Sequence, residues 1–240
     1  MGKYDIKAAY RRAHLSAATA AKSLTVFDNK LLMALRMTFG GCPCPSQFGC
    51  ISETICDLAN DLIQCKKWNH CEIFSPNQHL VKPAYCLADT IPFKQARELA
   101  VDLPVNDLGS VDVYIDDMPP ICPDIGDNAE RCAAAVPLAV HLISRPTDPA
   151  EPIPRDDILS LKKLAGEGKM EEIKIILGWE INTRALTISL PEAKYVAWTR
   201  DISHLLQQSS VRAKTLETNI GHLNHVGFTI PMMRHFLNCL

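Results

Sequence analysis

No stretch of this 240-residue sequence is a candidate membrane span. Its apolar runs fall short of the ~18 residues that a spanning helix needs, and the chain does not open with the charged and then apolar segments of a secretory signal peptide. Hydrophobic residues make up 47% of the sequence, which is enough to build a core and excludes general disorder. We expect an intracellular protein, cytoplasmic or nuclear, that is not secreted and has no membrane partner.

The sequence also lacks the paired-cysteine motif of common zinc sites. It has 10 cysteines, and no two of them have CxxC spacing. Cys56 and Cys65, moreover, fall on a predicted helix. We interpret the cysteines as the reduced thiols of an intracellular protein, with zinc binding as the alternative. That alternative would use Cys42, Cys44, Cys56, Cys65, His70 and Cys71.

A strong overall charge is missing too, since the formal net charge is −2. The charges are unevenly distributed: residues 1–40 hold seven Lys or Arg against two Asp, whereas residues 98–172 hold sixteen acids against six bases. The basic opening segment could follow a phosphate backbone, because such contacts require only positive charge. A solvated basic face is the alternative. The residues in question are Lys7, Arg11, Arg12, Lys22, Lys30 and Arg36.

Two adjacent carboxylates follow a strand-like segment near the middle of the chain. Apolar and polar residues alternate over 111–115, with the period of a half-buried strand, and the prolines of 118–120 are predicted to turn the chain. Asp116 and Asp117 are therefore expected at a strand tip, where both carboxylates can approach one point. Oxygen ligands of this kind suit Mg²⁺. A polar Asp-Asp turn is the alternative.

Three segments resemble, in the right order, the conserved blocks of reverse transcriptases. Residues 3–10 are similar to the first catalytic block, in which Asp5 ends a strand and the aromatic Tyr10 follows five positions later. Tyr114-Ile115-Asp116-Asp117 matches the YxDD box. Between them, residues 37–48 resemble the LPFG…P..F stretch of long-terminal-repeat-type polymerases. The matching positions of that stretch are Phe39, Gly40, Pro45 and Phe48, and Met37-Thr38 stand in place of the family's Leu-Pro.

The resemblance continues to the end of the chain. Residues 176–181, with Leu177, Gly178 and Trp179, are similar to the primer-grip hairpin, and residues 216–225 resemble the helical segment that follows it in retrotransposon polymerases. From residue 3 to residue 240, the sequence thus resembles the reverse transcriptase of an LTR-type or DIRS-like retrotransposon. Each motif is weak alone, and their series carries the resemblance.

The resemblance implies an α+β fold with a polymerase palm, an antiparallel sheet backed by helices. The palm would span 1–172 with loop insertions at 68–110 and 145–157, followed by the primer-grip hairpin at 173–190 and a helical thumb or connection-like segment at 191–240. Because the chain begins two residues before the first block, we expect the fingers, which carry basic residues toward template and triphosphate in the family, to be largely missing.

The implied activity is RNA-directed DNA synthesis by two-metal nucleotidyl transfer. Asp5, Asp116 and Asp117 would be the catalytic residues and would hold two Mg²⁺ or Mn²⁺ ions. The nucleotide-binding residues would be Tyr10, as a steric gate beneath the sugar, with Phe39 and Gly40. The partners would be an RNA or DNA template with its primer, dNTPs, and possible further domains of a retroelement polyprotein.

Two other functions compete with this one. A catalytically inactive retroelement remnant would act at most as a nucleic-acid- or protein-binding module, and the missing fingers favour it, whereas the intact set of three aspartates favours the polymerase. A two-metal phosphohydrolase is disfavoured, because such sites usually also use His and no His lies within ten residues of the Tyr114–Asp117 turn.

Local patterns predict the remaining elements. Apolar spacing predicts a helix over 46–67, a helix through 129–140 capped by Asp127 or Asn128 and kinked at Pro137, and one from 191 through 206. Thr215 is expected to cap a last helix. Further predictions are a short helix over 93–101, a helix over 157–164, and a hairpin whose strands, 173–181 and 185–190, flank 182–184.

Overall fold

The computed structural model describes residues 1–81 and 108–230. The helix predicted over 93–101 lies outside these residues. The chain forms two compact units, the first of which comprises Met1–Ile176 and Asn182–Leu186, and the second Leu177–Ile181 and Thr187–Leu240. Short antiparallel strands and helices make up the described residues, so the predicted α+β class is confirmed. None of the described helices is both long and apolar enough to cross a membrane.

The first unit contains seven strands and four helices within the described residues. In chain order they are β1 (Tyr4–Asp5), α1 (Ala17–Lys22), β2 (Leu24–Phe27), β3 (Lys30–Met33), α2 (Cys44–Gln64), β4 (Ser110–Val111), β5 (Asp117–Met118), β6 (Pro120–Ile121), α3 (Asn128–Ile143), α4 (Leu161–Glu167) and β7 (Ile173–Ile176). Three two-stranded sheets pair β1 with β5, β2 with β3, and β4 with β6.

A pair of helices, α2 and α3, forms the centre of the core. In α2, Phe48, Ile55 and Ile63 recur at helical spacing and are at most 1% exposed. Alanines dominate the middle of α3 and are almost completely buried, and their small side chains let neighbouring segments approach this helix closely. Both predicted helices are present, with α2 beginning two residues earlier and ending three residues earlier than predicted. Asp127 occupies the N-cap position of α3, but its side chain makes no capping hydrogen bond, so the prediction of an Asp127 side-chain cap is wrong.

The early end of α2 has a visible cause in Arg131 of α3. Its guanidinium donates hydrogen bonds to the backbone carbonyls of Leu62, Ile63, Cys65 and Trp68. The last carbonyls of a helix have no partner inside the helix, so an arginine fork that reaches them fixes the point at which the helix stops. Sequence periodicity could not reveal a cap supplied from 68 residues away.

The described part of the second unit contains strands and two long helices. The strands are β8 (Trp179–Asn182) and β9 (Thr187–Ser189), and the helices are α5 (Glu192–Leu206) and α6 (Ala213–Thr229). The helix predicted over 191–206 is confirmed as α5, which begins one residue later, with Pro191 at the N-cap position. The prediction that Thr215 caps the last helix is wrong: α6 begins at Ala213, and Thr215 lies inside its first turn, where its carbonyl accepts a hydrogen bond from Asn219.

The primer-grip segment contains one more turn than predicted. The continuous strand expected over 173–181 is wrong, because β7 ends at Ile176 and β8 begins at Trp179. Leu177 and Gly178 between them both have positive φ, at 50° and 83°, which is the requirement of a two-residue type I′ turn. The predicted hairpin beyond it is confirmed, since β8 and β9 are hydrogen-bonded neighbours.

Candidate carboxylate site

Strand β1 sets the position of Asp5 against the returning strand β5. The two strands are antiparallel, with Tyr4 opposite Met118 and Asp5 opposite Asp117. Tyr4 and Met118 are each 1% exposed, and the Tyr4 hydroxyl donates a hydrogen bond to the carbonyl of Ala133 at 3.2 Å. Directly opposed residues of an antiparallel pair project on the same side of the sheet, so the Asp5 and Asp117 side chains share one face.

A tight turn places Asp116 beside this pair. Tyr114 and Asp117 exchange two backbone hydrogen bonds of 2.9 and 3.0 Å, and only Ile115 and Asp116 lie between them. Ile115 has a φ of 60°, as the first central residue of a type II′ turn requires. A β-branched residue in this region is strained. The predicted location of the turn at the prolines of 118–120 is therefore wrong, since the chain has already reversed at Ile115-Asp116.

The chain also runs along the side of β1 away from β5. Leu159 forms an antiparallel bridge with Ile6, the Ser160 amide donates to the Asp5 carbonyl at 3.0 Å, and the Lys7 amide donates to the Ile158 carbonyl at 2.8 Å. The prediction of a helix over 157–164 is wrong for its first four residues. Residues 158–160 run as extended backbone beside β1, so they cannot be helical, and α4 starts only at Leu161.

Helix α4 brings a lysine to the site that the sequence reasoning did not find. The Lys163 ammonium donates to the Asp5 carboxylate, and that aspartate is only 8% exposed. The hydrogen bond to Asp5, together with its negative charge, raises the pKa of Lys163. A lysine 158 residues away from the first motif carries no sequence signal of this role. Only the placement of 158–160 beside β1 reveals it.

The pKa values of Asp116 and Asp117 are both raised at this site. Burial raises the pKa of Asp116, and the negative charges of Asp5 and Asp117 raise it further. Burial also raises the pKa of Asp117, where the lowering effect of Lys3 does not compensate for burial and Asp5. Nearby negative charge and burial both disfavour the ionised carboxylate, so a positive charge near Asp116 and Asp117 would stabilise their ionised forms.

The donor chemistry of the aspartates fits a divalent cation. Mg²⁺ and Mn²⁺ prefer oxygen ligands, and carboxylates are the usual protein donors. In the described parts of the chain, no three His, Cys, Asp or Glu side chains lie close enough together to hold a metal ion. That finding covers the six possible zinc ligands and the three aspartates, and at Asp5 the neighbouring cation is Lys163. The assignment of Asp5, Asp116 and Asp117 as metal ligands stays a prediction.

Of the three predicted nucleotide-pocket residues, Tyr10 and Phe39 are in contact, and Gly40 follows Phe39 in the sequence. Tyr10 lies on a 3₁₀ turn, Ala9–Arg12, five residues after Asp5, and its ring meets Phe39 edge to face at 5.4 Å and Phe48 at 5.6 Å. Tyr10 is 9% exposed, whereas Phe39 is 93% exposed. Gly40 has a φ of 85° and open space around its missing side chain. The structure thus joins Tyr10 to Phe39 at the edge of the core.

The three primer-grip residues lie at a bend in the second unit. The Gly178 carbonyl accepts a hydrogen bond from Lys194 Nζ at 3.2 Å, and the Trp179 ring stacks on His225 at 4.8 Å. His222 stacks on Trp198 at 4.3 Å. The Lys194 hydrogen bond ties the turn at Leu177-Gly178 to α5, and the Trp179–His225 stack ties it to α6.

Part of the predicted basic face serves the fold itself. Arg12 donates to the backbone carbonyls of Lys7, Asp156 and Asp157, and Arg36 donates to the carbonyl of Arg11. Arginines that are engaged with carbonyls in this way are less available to phosphates than the sequence alone indicated.

Comparison with known proteins gives structural neighbours only. No protein-family profile matches the sequence, and no curated protein matches it. Among solved structures, the chain is similar to the foamy viral protease-reverse transcriptase in complex with an RNA/DNA hybrid, with a TM-score of 0.55 and 12% identity over 100% of this chain and 24% of that one. A second structure of that protein, in complex with double-stranded DNA, gives a TM-score of 0.54 and 11% identity over 31% of its chain. The chain therefore has a reverse-transcriptase-like fold, and it spans about a quarter to a third of those neighbours.

Proposed function

We propose that this chain is the palm and thumb of a retroelement reverse transcriptase, an RNA-directed DNA polymerase of the LTR-type or DIRS-like class. The observation that carries the proposal is the pairing of β1 with β5, which sets Asp5 opposite Asp117 beside the turn that holds Asp116. Two motifs more than 100 residues apart in sequence are thereby joined in space, as the reverse-transcriptase resemblance requires. The reverse-transcriptase-like fold supports the same proposal.

Each residue of the site has a role in the proposed reaction. Asp5, Asp116 and Asp117 would hold Mg²⁺ or Mn²⁺, which when bound supplies the charge that activates the primer 3′ hydroxyl and neutralises the pyrophosphate leaving group. Tyr10 excludes a 2′ hydroxyl by its bulk, and Phe39 and Gly40 border the base and sugar of the dNTP. Lys163 balances the negative charge of Asp5 until metal and triphosphate arrive.

The proposed partners are a template with its primer, and dNTPs. The neighbouring structures contain an RNA/DNA hybrid or double-stranded DNA, and a chain of the same fold is proposed to bind duplexes of this kind. Leu177, Gly178 and Trp179 would hold the primer end, on a turn that Lys194 and His225 fix in place. Further domains of a retroelement polyprotein are proposed as covalent partners.

A primer-extension assay tests the proposal. A labelled DNA primer on an RNA template is incubated with dNTPs and Mg²⁺ or Mn²⁺, and the enzyme is the 240-residue chain alone or joined to the fingers of a reverse transcriptase. We expect slow or no extension by the chain alone, because a triphosphate held without fingers is poorly positioned. The joined form should extend the primer.

Asp116→Asn should abolish that extension, because it removes one of the carboxylates that would hold the metal ions. Asp124→Asn is the matched control, since this exposed aspartate lies on the same stretch of chain and outside the site. Extension that survives Asp116→Asn would contradict the polymerase assignment. An absence of extension from every form would favour the alternative of an inactive remnant, in which Lys163 keeps Asp5 permanently engaged.

A further inference from the structure

A buried hydrogen-bonded chain of Ser75, His141 and Asp157 lies outside the carboxylate site. Ser75 Oγ is 2.9 Å from His141 Nδ1, and His141 Nε2 is 3.4 Å from Asp157 Oδ1. The three residues are 1%, 8% and 9% exposed. They come from the segment after α2, the last turn of α3 and the segment before α4. The hydrogen bonds among them therefore connect three parts of the first unit that are distant in sequence.

This arrangement does not suit nucleophilic catalysis. Ser75 is almost fully buried, and its hydroxyl already accepts a hydrogen bond from the Asn77 amide at 3.1 Å. A nucleophile must be reachable by a substrate. The buried polar groups instead satisfy one another, which rigidifies the segments that carry them.

The Asp157 carboxylate faces four hydrogen-bonding groups from separate parts of the first unit. Oδ1 accepts a hydrogen bond from the Leu159 amide at 2.9 Å, in addition to facing His141. Oδ2 accepts hydrogen bonds from Asn77 Nδ2 at 3.1 Å and from Thr147 Oγ1 at 3.3 Å. The orientation of this carboxylate therefore determines how the backbone leaves residue 157.

The backbone that leaves Asp157 is the segment that flanks β1. The Ser160 amide donates to the carbonyl of Asp5 in β1, and the Lys7 amide, just after β1, donates to the carbonyl of Ile158. One residue later α4 begins, and it carries Lys163 to the Asp5 carboxylate. A displacement of 158–160 would therefore move both partners of that ion pair.

We propose that Asp157, oriented by His141 and Ser75, is a positioning residue for the carboxylate site. It fixes residues 158–160 against β1 and thereby sets the relative position of Asp5 and Lys163. The consequence for metal binding and nucleotide addition rests on the proposed function, whereas the consequence for the backbone beside β1 does not.

The neighbouring aspartate supplies a matched control. Asp156 is one residue earlier in the same segment, but its side chain is 72% exposed and pairs with Lys7, itself 47% exposed, at 3.0 Å. Exposed pairs of this kind contribute little. Asp156→Asn and Asp157→Asn are the same chemical change at adjacent positions. Only Asp157→Asn weakens the buried hydrogen bonds among Ser75, His141 and residue 157.

The first measurement is amide hydrogen exchange of the full chain by NMR. In Asp157→Asn, the amides of Lys7, Leu159 and Ser160 should exchange about tenfold faster than in wild type, because local opening beside β1 becomes easier. In Asp156→Asn, exchange should stay within about twofold of wild type. Equal exchange in the two variants would overturn the proposal. If Asp157→Asn does not fold, Ser75→Ala is the substitute, because it removes the hydrogen bond between Ser75 and His141 and leaves the Asp157 carboxylate in place. It should show the same pattern of exchange with smaller changes.

The second measurement is Mn²⁺ affinity of the folded variants, read from water proton relaxation. Loss of the supporting contact should weaken Mn²⁺ binding about tenfold in Asp157→Asn, and in an extending form kcat should fall while KM for primer-template stays the same. Unchanged Mn²⁺ affinity in a variant with faster exchange would overturn the link to the site. If wild type binds no Mn²⁺, the proposed function fails, and the exchange data still decide the backbone role of Asp157.

Discussion

The ion pair between Lys163 and Asp5 predicts that replacing this lysine strengthens metal binding. In the free protein, the Lys163 ammonium occupies the Asp5 carboxylate, and a divalent cation must displace it or share that carboxylate with it. Lys163→Met removes the competing charge and keeps an unbranched side chain on α4. Metal binding in the absence of nucleic acid should therefore be tighter in the variant.

The magnitude follows from the exposure of the pair. Two unit charges 4 Å apart interact by about 4 kcal/mol at an effective dielectric constant of about 20. The Lys163 side chain is 53% exposed, so solvent reduces this to about 1 kcal/mol, which corresponds to roughly fivefold in affinity. Screening by salt should diminish the difference further.

The assay is a Mn²⁺ titration of the apo protein followed by electron paramagnetic resonance. Lys162→Met is the control. It removes the same positive charge from the adjacent, exposed position on α4 and leaves the ion pair between Lys163 and Asp5 in place. A Mn²⁺ affinity that is unchanged or weaker in Lys163→Met than in Lys162→Met would refute the reasoning. It would mean that Lys163 does not compete for the carboxylate.

Three further outcomes are expected. In a form that extends primers, Tyr10→Ala should admit ribonucleotides, and equal discrimination by mutant and wild type would return Tyr10 to a purely packing role. Gly178→Ala should lower the free energy of unfolding by about 1 kcal/mol, because Gly178 has positive φ. Gly221→Ala, in open space on α6, should instead raise the free energy of unfolding by up to about 1 kcal/mol. Urea denaturation of the two variants would show these opposite changes. Burial raises the pKa of Asp157, but hydrogen bonds from Leu159 and Asn77 and the nearby His141 hold this pKa below its ordinary 3.8. The stability that this group contributes is therefore present at neutral pH and is lost as pH falls below about 4. An acid titration of the wild-type protein should show this loss, and Asp157→Asn should lack it.

The motifs and their order predicted that Asp5 would act together with Asp116 and Asp117, and the structure places Asp5 opposite Asp117. The period of two over 111–115 predicted a strand-like approach to Asp116, and the resemblance of residues 3–10 to the first catalytic block implied a strand that ends at Asp5, which is where β1 ends. The antiparallel pairing of β1 with β5 was seen only in the structure. Helices α2, α3 and α5 were also predictable, because their apolar spacing is set by a face that packs into a core.

The features that the sequence did not reveal depend on tertiary contacts. A helix was predicted to begin at Asp157, but the Asp157 carboxylate is hydrogen-bonded to Asn77 and Thr147 and faces His141. The helix start is thereby delayed to Leu161, and Lys163 is carried to Asp5 as a consequence. The turn at Leu177 was missed because a leucine with positive φ is uncommon, and only the following glycine hinted at it.

Iron-mediated cleavage tests the central claim, that Asp5, Asp116 and Asp117 together hold divalent cations. At a site that holds Mg²⁺, Fe²⁺ would take its place, and with ascorbate and peroxide it would cut the backbone next to where it is bound. We predict cuts around residue 5 and around residues 115–118, suppressed by excess Mg²⁺ and absent in Asp116→Asn. Cuts that occur elsewhere, or that persist unchanged in Asp116→Asn, would contradict the account.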